Sequence, residues 1–390
     1  VFLSDRNLRL HDFTELDLEE SLSIIRSEIE DEYLQPHAYP WVIGYSGGKD
    51  STMVAHLVFE MLLELPKSQR QREVHIVSND TLVESPLVIG HIVQSMAQIQ
   101  EAADALRLPV RTQITRPALD QTFWVNLIGK GYPSPNRSFR WCTDRMKIQP
   151  TSAYIKAQIE SNEQVVLLLG VRRSESATRA ASVKRYDNGL RLNRHNDLAG
   201  CLVFRPIVEL TTDDVWEFLS EHPAPWGGDH KKLIKLYRDA GGGECPVVTQ
   251  KSDAPSCGSS SSRFGCWTCT VVDKDRSLEG FVESGFLQFG PLLDFRDWLL
   301  SIRNDPTKRS ARRRNGEITI TDSGTFIPGP FTVETRHEIL DRLLLLQKQC
   351  ELMLISEDEI DEIQRIWSGE IAGSKGRGTA TVNTIKKGGR

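Results

Sequence analysis

The chain has 390 residues, 39% of them apolar and 26% charged, proportions of an ordinary globular protein with room for two domains or one domain with appendages. A formal net charge of −5 excludes a global attraction for nucleic acid, so any such contact must come from local patches. No apolar run approaches the roughly 20 residues needed to span a bilayer, and no basic stretch leads into an apolar one near Val1, itself an indication of a trimmed start; the expectation is a cytoplasmic protein with no membrane contact.

Residues 1–40 read as an N-terminal helical arm, because Leu18, Leu22, Ile25 and Ile29 recur at helical spacing in DLEESLSIIRSEIEDEY. WVIGY (41–45) is a short apolar run of buried-strand type, and STMVAHLVFEMLLEL (51–65) has helical periodicity, so residues 46–50 fall on a strand-to-helix turn. VHIVSND (74–80) and VVLLLGVRR (165–173) read as further strands, with amphipathic segments between them. Strands alternating with helices predict an α/β fold on a parallel sheet with helical flanks, placed at 41–225. Beyond Pro225 the pattern loosens into a cysteine-containing and basic region, 226–350, with a Gly/Ser-rich excursion at 241–263. Residues 351–390 read as an acidic helix, opened by a Ser356–Glu359 capping box ahead of Ile360, Ile363 and Trp367, and a mobile tail from Gly369.

The turn carries the chemistry. In VIGYSGGKDST (42–52), Asp50 follows Lys49 where a nucleotide-binding loop of the G-x-x-x-x-G-K type requires Ser or Thr, and Gly44 stands one residue too close to Gly48. A helix N-terminus preceded by glycines still presents free N–H groups and a positive dipole end to an anion. Gly47 and Gly48 allow close backbone approach, Ser46, Ser51 and Thr52 add hydroxyls, and Lys49 adds charge. Asp50 would repel a phosphate unless it holds Mg²⁺ or braces the loop. Arg172, Arg173 and Arg179 follow a strand end, where α/β ligands sit, and can neutralise phosphate charge.

Seven cysteines in a chain of this size do not suggest a disulfide framework. Cys266 and Cys269 form a C-x-x-C, which alone allows zinc, a redox dithiol or an iron–sulfur site. Cys257 lies nine residues upstream, Cys245 is its rival, and Cys142 sits in FRWCTDRMKIQP near the nucleotide domain. Cys201 and Cys350 read as ordinary buried thiols. Arg303, Lys308, Arg309, Arg312, Arg313 and Arg314 crowd a segment whose only internal acid is Asp305, a nucleic-acid contact or a solvated face. HKKLIKLYRD (230–239) reads as a basic helix packed through Leu233, Leu236 and Tyr237.

The string S-G-G-K-D-S-T resembles the PP-loop of the ATP pyrophosphatase superfamily, whose members cleave ATP between the α and β phosphates. SNDTLVESP (78–86), GVRRSESATR (170–179) and FRPIVELTTDDVWEFL (204–219) resemble segments of phosphoadenylylsulfate reductase-like proteins, over roughly 40–270. Those relatives carry a Cys-Cys pair followed by K-x-x-P; here Trp141 replaces the first Cys while Cys142, Lys147 and Pro150 keep the pattern. Within that group the motif order most resembles the DndC family of bacterial DNA phosphorothioation. The resemblance implies an ATP pyrophosphatase and sulfurtransferase. Ser46, Gly47, Gly48, Lys49, Asp50, Ser51, Thr52, Asp80 and Arg179 would bind ATP with Mg²⁺, and Lys49, Asp50, Arg172 and Arg173 would be catalytic. Cys142, Cys257, Cys266 and Cys269 would hold a [4Fe–4S] cluster, with zinc the alternative. DNA, a cysteine desulfurase and the other Dnd components are the implied partners. A phosphoadenylylsulfate reductase, a tRNA thiolase and a nucleotide-sensing scaffold are the rivals. Alanine at Ser46, Lys49 or Asp50 is expected to suppress pyrophosphate release and leave the fold intact.

Overall fold

The computed structural model describes residues 16–175, 177–186, 189–241, 264–314, 316–320, 324 and 326–374, with only the backbone of 177–179, 182, 186 and 371–374. The first helix, α1 (Leu18–Tyr33), opens on a reciprocal capping box between Asp17 and Glu20. Then β1 (Trp41–Gly44), α2 (Lys49–Glu64), β2 (Val74–Asn79), α3 (Pro86–Leu106) and β3 (Val110–Thr115) alternate. They are followed by α4 (Gln149–Asn162), β4 (Val165–Leu169), α5 (Ala177–Tyr186), β5 (Leu192–Arg194), β6 (Cys201–Phe204), α6 (Thr212–Glu221) and α7 (Lys231–Asp239). The remainder comprises α8 (Arg276–Glu283), α9 (Gly290–Ile302), the hairpin of β7 (Thr319–Ile320) and β8 (Phe326–Ile327), α10 (Val333–Cys350) and α11 (Glu357–Ser374).

Among the described residues the main sheet has six strands in the order β3-β2-β1-β4-β6-β5. All pairings are parallel except that of β5, which runs antiparallel along the edge. The fold is the expected α/β type. Trp41, Val42 and Ile43 are wholly buried, as a strand covered by helices on both faces requires. The chain steps from β1 outward to β2 and β3, then returns to β4 on the other side of β1. That reversal opens a crevice at the carboxyl ends of β1 and β4.

One core cluster takes in Leu22, Ile25 and Ile29 of α1, most of α2, and Ile363 of α11. The C-terminal helix departs from expectation: it runs through Gly369 to Ser374. Docking explains this, since Ile363 is buried, the Trp367 indole donates to the Ile128 carbonyl at 3.2 Å, and Arg336 pairs with Glu370 at 2.7 Å. Tertiary packing outweighs the roughly 1 kcal/mol helix penalty of one glycine. Ser356 and Glu359 form the predicted capping box. Among the described residues no helix is long and apolar enough to cross a membrane.

Candidate functional site

Tyr45 to Gly48 make the predicted turn between β1 and α2, at the mouth of the crevice. Gly47 has φ +70°, and a Cβ there would stand 2.5 Å from Ile92 Cγ1, so both conformation and space demand glycine. The hydroxyls turn inward: Ser46 Oγ and Ser51 Oγ are 3.1 Å apart, and Ser51 Oγ donates to the Gly48 carbonyl at 3.0 Å. The loop is thereby set around the N-terminus of α2, whose first amides and dipole favour an anion.

Asp50 is a brace. Its Oδ1 accepts from Arg172 Nε at 2.5 Å, and its Oδ2 lies 3.6 Å from Lys49 Nζ. Arg172, only 1% exposed, follows β4 and donates Nη1 to Ser174 Oγ at 2.8 Å; its buried Nη2 has no hydrogen-bond partner. A buried guanidinium with a spare donor suits an anionic ligand in the crevice. The end of β4 and the first turn of α2 touch closely: a Cβ on Gly170 would lie 2.7 Å from the Asp50 carbonyl. Arg173 turns the other way, its Nε 3.1 Å from Glu209, and the Arg179 side chain lies outside the described residues.

The expected nucleotide ligands Lys49 and Asp80 are both engaged. Lys49 is buried, its ammonium 5.9 Å from the Trp216 ring and 5.4 Å from the Tyr237 ring, and its N–H donates to Tyr237 Oη at 3.3 Å. Trp216 and Tyr237 come from α6 and α7, and sequence reasoning missed their part in the loop. The signal was an aromatic with a polar tip on the apolar face of α7, since a buried hydroxyl must find a partner. Asp80 accepts from Leu82 N–H at 2.8 Å and from Arg116 Nε at 3.0 Å. It supports the bend after β2, where Leu82 takes φ +64°. Behind the loop, His56 Nδ1 and His230 Nε2 lie 3.1 Å apart; burial pushes their pKa values down to about 3 and about 4.

That same bend receives the C-x-x-C. Cys266 bridges to Glu84, and Trp267 N–H donates to the Val83 carbonyl at 3.0 Å. The Cys266 thiol lies 3.4 Å from Thr81 Oγ1 and 3.8 Å from Glu84 Oε1, while Lys147 Nζ pairs with Glu84 at 3.2 Å. Burial pushes the Cys266 thiol far up, the Glu84 charge adding to it and Lys147 opposing. Cys142, at the head of the π-helical turn Thr143–Ile148, is raised by burial and then by the charge of Cys269. Lys147 is raised in turn, first by the neighbouring Cys266 sulfur and also by Glu84, against the burial that opposes them. The Lys147–Glu84 pair and the bond from Asn79 Nδ2 to the Met146 carbonyl at 2.7 Å bring the turn headed by Cys142 to the bend that receives Cys266 and Cys269, next to the strand that bears the phosphate loop. Cys257 and Cys245 lie outside the described residues. Among the described residues no group of three His, Cys, Asp or Glu side chains is arranged to hold a metal ion. The donor chemistry nonetheless fits a thiolate-held cluster, with two thiols on one turn and a third from a distant segment.

The model of the phosphoadenosine phosphosulfate reductase domain matches residues 40–272, more than half of the chain. The chain belongs to this family. A curated relative, an uncharacterized protein of Methanocaldococcus jannaschii, is 23% identical over 209 residues, covering 54% of this chain and 36% of its own length. The chain thus spans about a third of the curated relative it matches. Among solved structures, the phosphoadenylyl-sulfate reductase of Candida auris is 13% identical, with 53% of this chain and 87% of that one covered and a TM-score of 0.30. The U34-tRNA thiolase NcsA of Methanococcus maripaludis, solved with its [4Fe-4S] cluster, is 13% identical (64% and 86% covered, TM-score 0.34). The NH3-dependent NAD synthetase of Campylobacter jejuni is 12% identical (74% and 97% covered, TM-score 0.32).

Outside the matched reductase domain the basic segment divides in two. Arg303 donates to the Thr270 and Pro135 carbonyls, Arg309 to those of Gly329 and Arg303, and Lys308 pairs with Glu338 at 2.6 Å. These three hold the fold. Arg312, Arg313 and Arg314 are exposed. Cys201 is buried as expected, its thiol raised to about 11 by burial, whereas Cys350, at the end of α10, is only half-buried. The helix end leaves one side of Cys350 open to solvent.

Proposed function

We propose that this chain is a PP-loop ATP pyrophosphatase and sulfurtransferase of the DndC type, which adenylates a DNA backbone phosphate so that sulfur replaces a non-bridging oxygen. The observation that carries the reading is the approach of the turn headed by Cys142 to the C-x-x-C at the bend after β2, through Glu84, which Lys147 Nζ meets at 3.2 Å and Cys266 Sγ at 3.8 Å, beside the strand bearing the phosphate loop. An anion-binding loop next to gathered thiols suits a reaction that activates an oxygen and then delivers sulfur.

In the first stage a phosphate oxygen attacks the α-phosphorus of ATP; the α–β bond breaks and its electron pair leaves with pyrophosphate. In the second, a thiol attacks the inner sulfur of the persulfide supplied by a cysteine desulfurase, is oxidised to a disulfide and releases hydrosulfide; the hydrosulfide forms the P–S bond as AMP departs with the P–O electron pair. The amides at the start of α2 would hold the pyrophosphate, which enters with Mg²⁺, and Arg172 Nη2 would meet its charge. Asp50 keeps Arg172 in place, and Lys49 would act from within its aromatic wall. Arg173, Arg179 and Asp80 would flank the nucleotide. Cys142, Cys266 and Cys269 would hold a [4Fe–4S] cluster with Cys257 as the fourth ligand; when bound, such a cluster supplies a site for inorganic sulfur.

The test supplies anaerobically purified protein with ATP, Mg²⁺, DNA, cysteine and a desulfurase together with the other Dnd components. DNA-dependent pyrophosphate release and phosphorothioate linkages in nuclease digests, read by mass spectrometry, are expected. Release that depends on tRNA, or reduction of an activated sulfate, overturns the reading in favour of those enzymes. Nucleotide binding with no pyrophosphate release overturns it in favour of a sensing scaffold.

A further inference from the structure

The loop at 136–140 has no part in the chemistry above, yet it is built to meet a ligand. Asn136 Oδ1 accepts from Ser138 N–H, Ser138 Oγ and Phe139 N–H, each at 2.9 Å, and Asn136 and Phe139 bridge through their backbones. This local turn fixes the loop and leaves the Phe139 ring 43% exposed between Arg137 and Arg140, both exposed as well. A large apolar ring held in water on a rigid tip is costly unless something covers it.

Phe139 is the outer end of a ladder of rings. Tyr132 lies 6.2 Å from it, Trp141 5.8 Å from Tyr132, and Phe123 stacks on Trp141 at 5.4 Å. The Arg314 guanidinium stands 6.0 Å from the Tyr132 ring, which joins segment 312–314 to the same face. Arg137 and Arg140 thus flank one exposed aromatic, and segment 312–314 adds three more exposed arginines, of which Arg314 reaches the same ladder at Tyr132. The acids on this side include Glu370, 4.0 Å from Arg314, Asp120, 4.0 Å from Lys130, Glu362 and the exposed Asp144. The loop is also tied to the thiols on both sides: Cys142 follows Arg140 by two residues, and Thr270, next to Cys269, donates to the Pro135 carbonyl at 2.7 Å.

We propose that loop 136–140 and segment 312–314 form one nucleic-acid surface, in which Phe139 stacks on an unpaired or displaced DNA base while the arginines hold the flanking phosphates. Every base offers a face to an aromatic ring, so stacking grips a strand without reading its sequence. Arginine forks clamp phosphate oxygens, and Arg140, two residues before Cys142, would set the strand beside that thiol. This inference rests on DNA as the substrate and adds the surface that receives it.

The experiment measures binding of fluorescent single-stranded DNA, duplex DNA and a tRNA by anisotropy across a salt series. The proteins compared are the parent, Phe139→Ala, Phe139→Trp, Arg137→Ala/Arg140→Ala, and Arg312→Ala/Arg313→Ala/Arg314→Ala, with melting temperatures as fold controls. Phe139→Ala should weaken single-stranded DNA binding about five- to 150-fold, the range for one missing stack, with the salt slope unchanged. Phe139→Trp should retain affinity. The arginine variants should flatten the slope by roughly 0.7 for each phosphate no longer neutralised. If Phe139→Ala and Arg137→Ala/Arg140→Ala bind like the parent, the surface is elsewhere, and DNA as substrate survives without it. If the parent ignores DNA or prefers tRNA, the substrate reading falls and this inference with it.

Discussion

Replacing Asp50 with Asn tests whether the phosphate loop is held by a buried ion pair across the strand-order reversal. The change keeps shape and removes charge, leaving the Arg172 guanidinium, 1% exposed, without its carboxylate. Removing one partner of a buried pair costs about 3–5 kcal/mol. The Asp50 side chain retains 19% exposure, so water can partly replace it and the low end, about 3 kcal/mol, applies. At roughly 2–4 °C per kcal/mol for domains of 150–250 residues, that is a fall of about 6–12 °C in melting temperature. Arg172→Met should cost less, because Lys49 still lies 3.6 Å from Asp50, and the double variant should cost less than the sum of the two. Urea midpoints at constant m-value give the three energies, and pyrophosphate release is assayed on the same samples. A loss below about 1 kcal/mol for Asp50→Asn, with strict additivity in the double variant, would refute the brace. The structure thus alters the expectation that Asp50 substitutions leave the fold untouched.

Gly170→Ala places a Cβ 2.7 Å from the Asp50 carbonyl and should destabilise by about 1–3 kcal/mol; an unchanged urea midpoint contradicts the close approach. His56 and His230 titrate at about 3 and about 4 in the fold against 6.5 in the open chain, so both fold as neutral rings. Their stabilisation is complete above pH 6.5 and is lost as pH falls toward 4, at up to about 1.4 kcal/mol per pH unit for each ring, and His56→Phe should flatten the urea-midpoint profile between pH 7 and 5. Serine at Cys142, Cys266 or Cys269 should strip iron and visible absorbance from anaerobically purified protein, while Cys201→Ser retains both. Comparing Cys245→Ser with Cys257→Ser assigns the fourth ligand, and stoichiometric zinc without iron or sulfide refutes the cluster.

Much of the fold was legible because it rests on local patterns. The apolar runs at 41–45, 74–80 and 165–173 became β1, β2 and β4, and the glycines of the turn announced the loop. Gly47 is a residue whose type and conformation correspond directly, with φ +70° and no room for a Cβ. The Ser356–Glu359 box was readable for the same reason, since its partners are three residues apart. The reach of α11 past Gly369 was not, because its support comes from Ile128 and Arg336, far away in the chain.

Residue types and spacing determined the α/β class, the anion-binding turn and the C-x-x-C, all set by interactions within a few residues. Tertiary structure decided what each side chain does there. It bound Asp50 to Arg172 and sent Arg173 to Glu209, although the two arginines are adjacent. It laid Tyr237 against the Lys49 amide, brought Cys142 to the C-x-x-C, and put Arg303, Lys308 and Arg309 to structural use while leaving 312–314 in water. The physical reason is that charge pairing and desolvation depend on distance in space, and chain separation does not encode that distance.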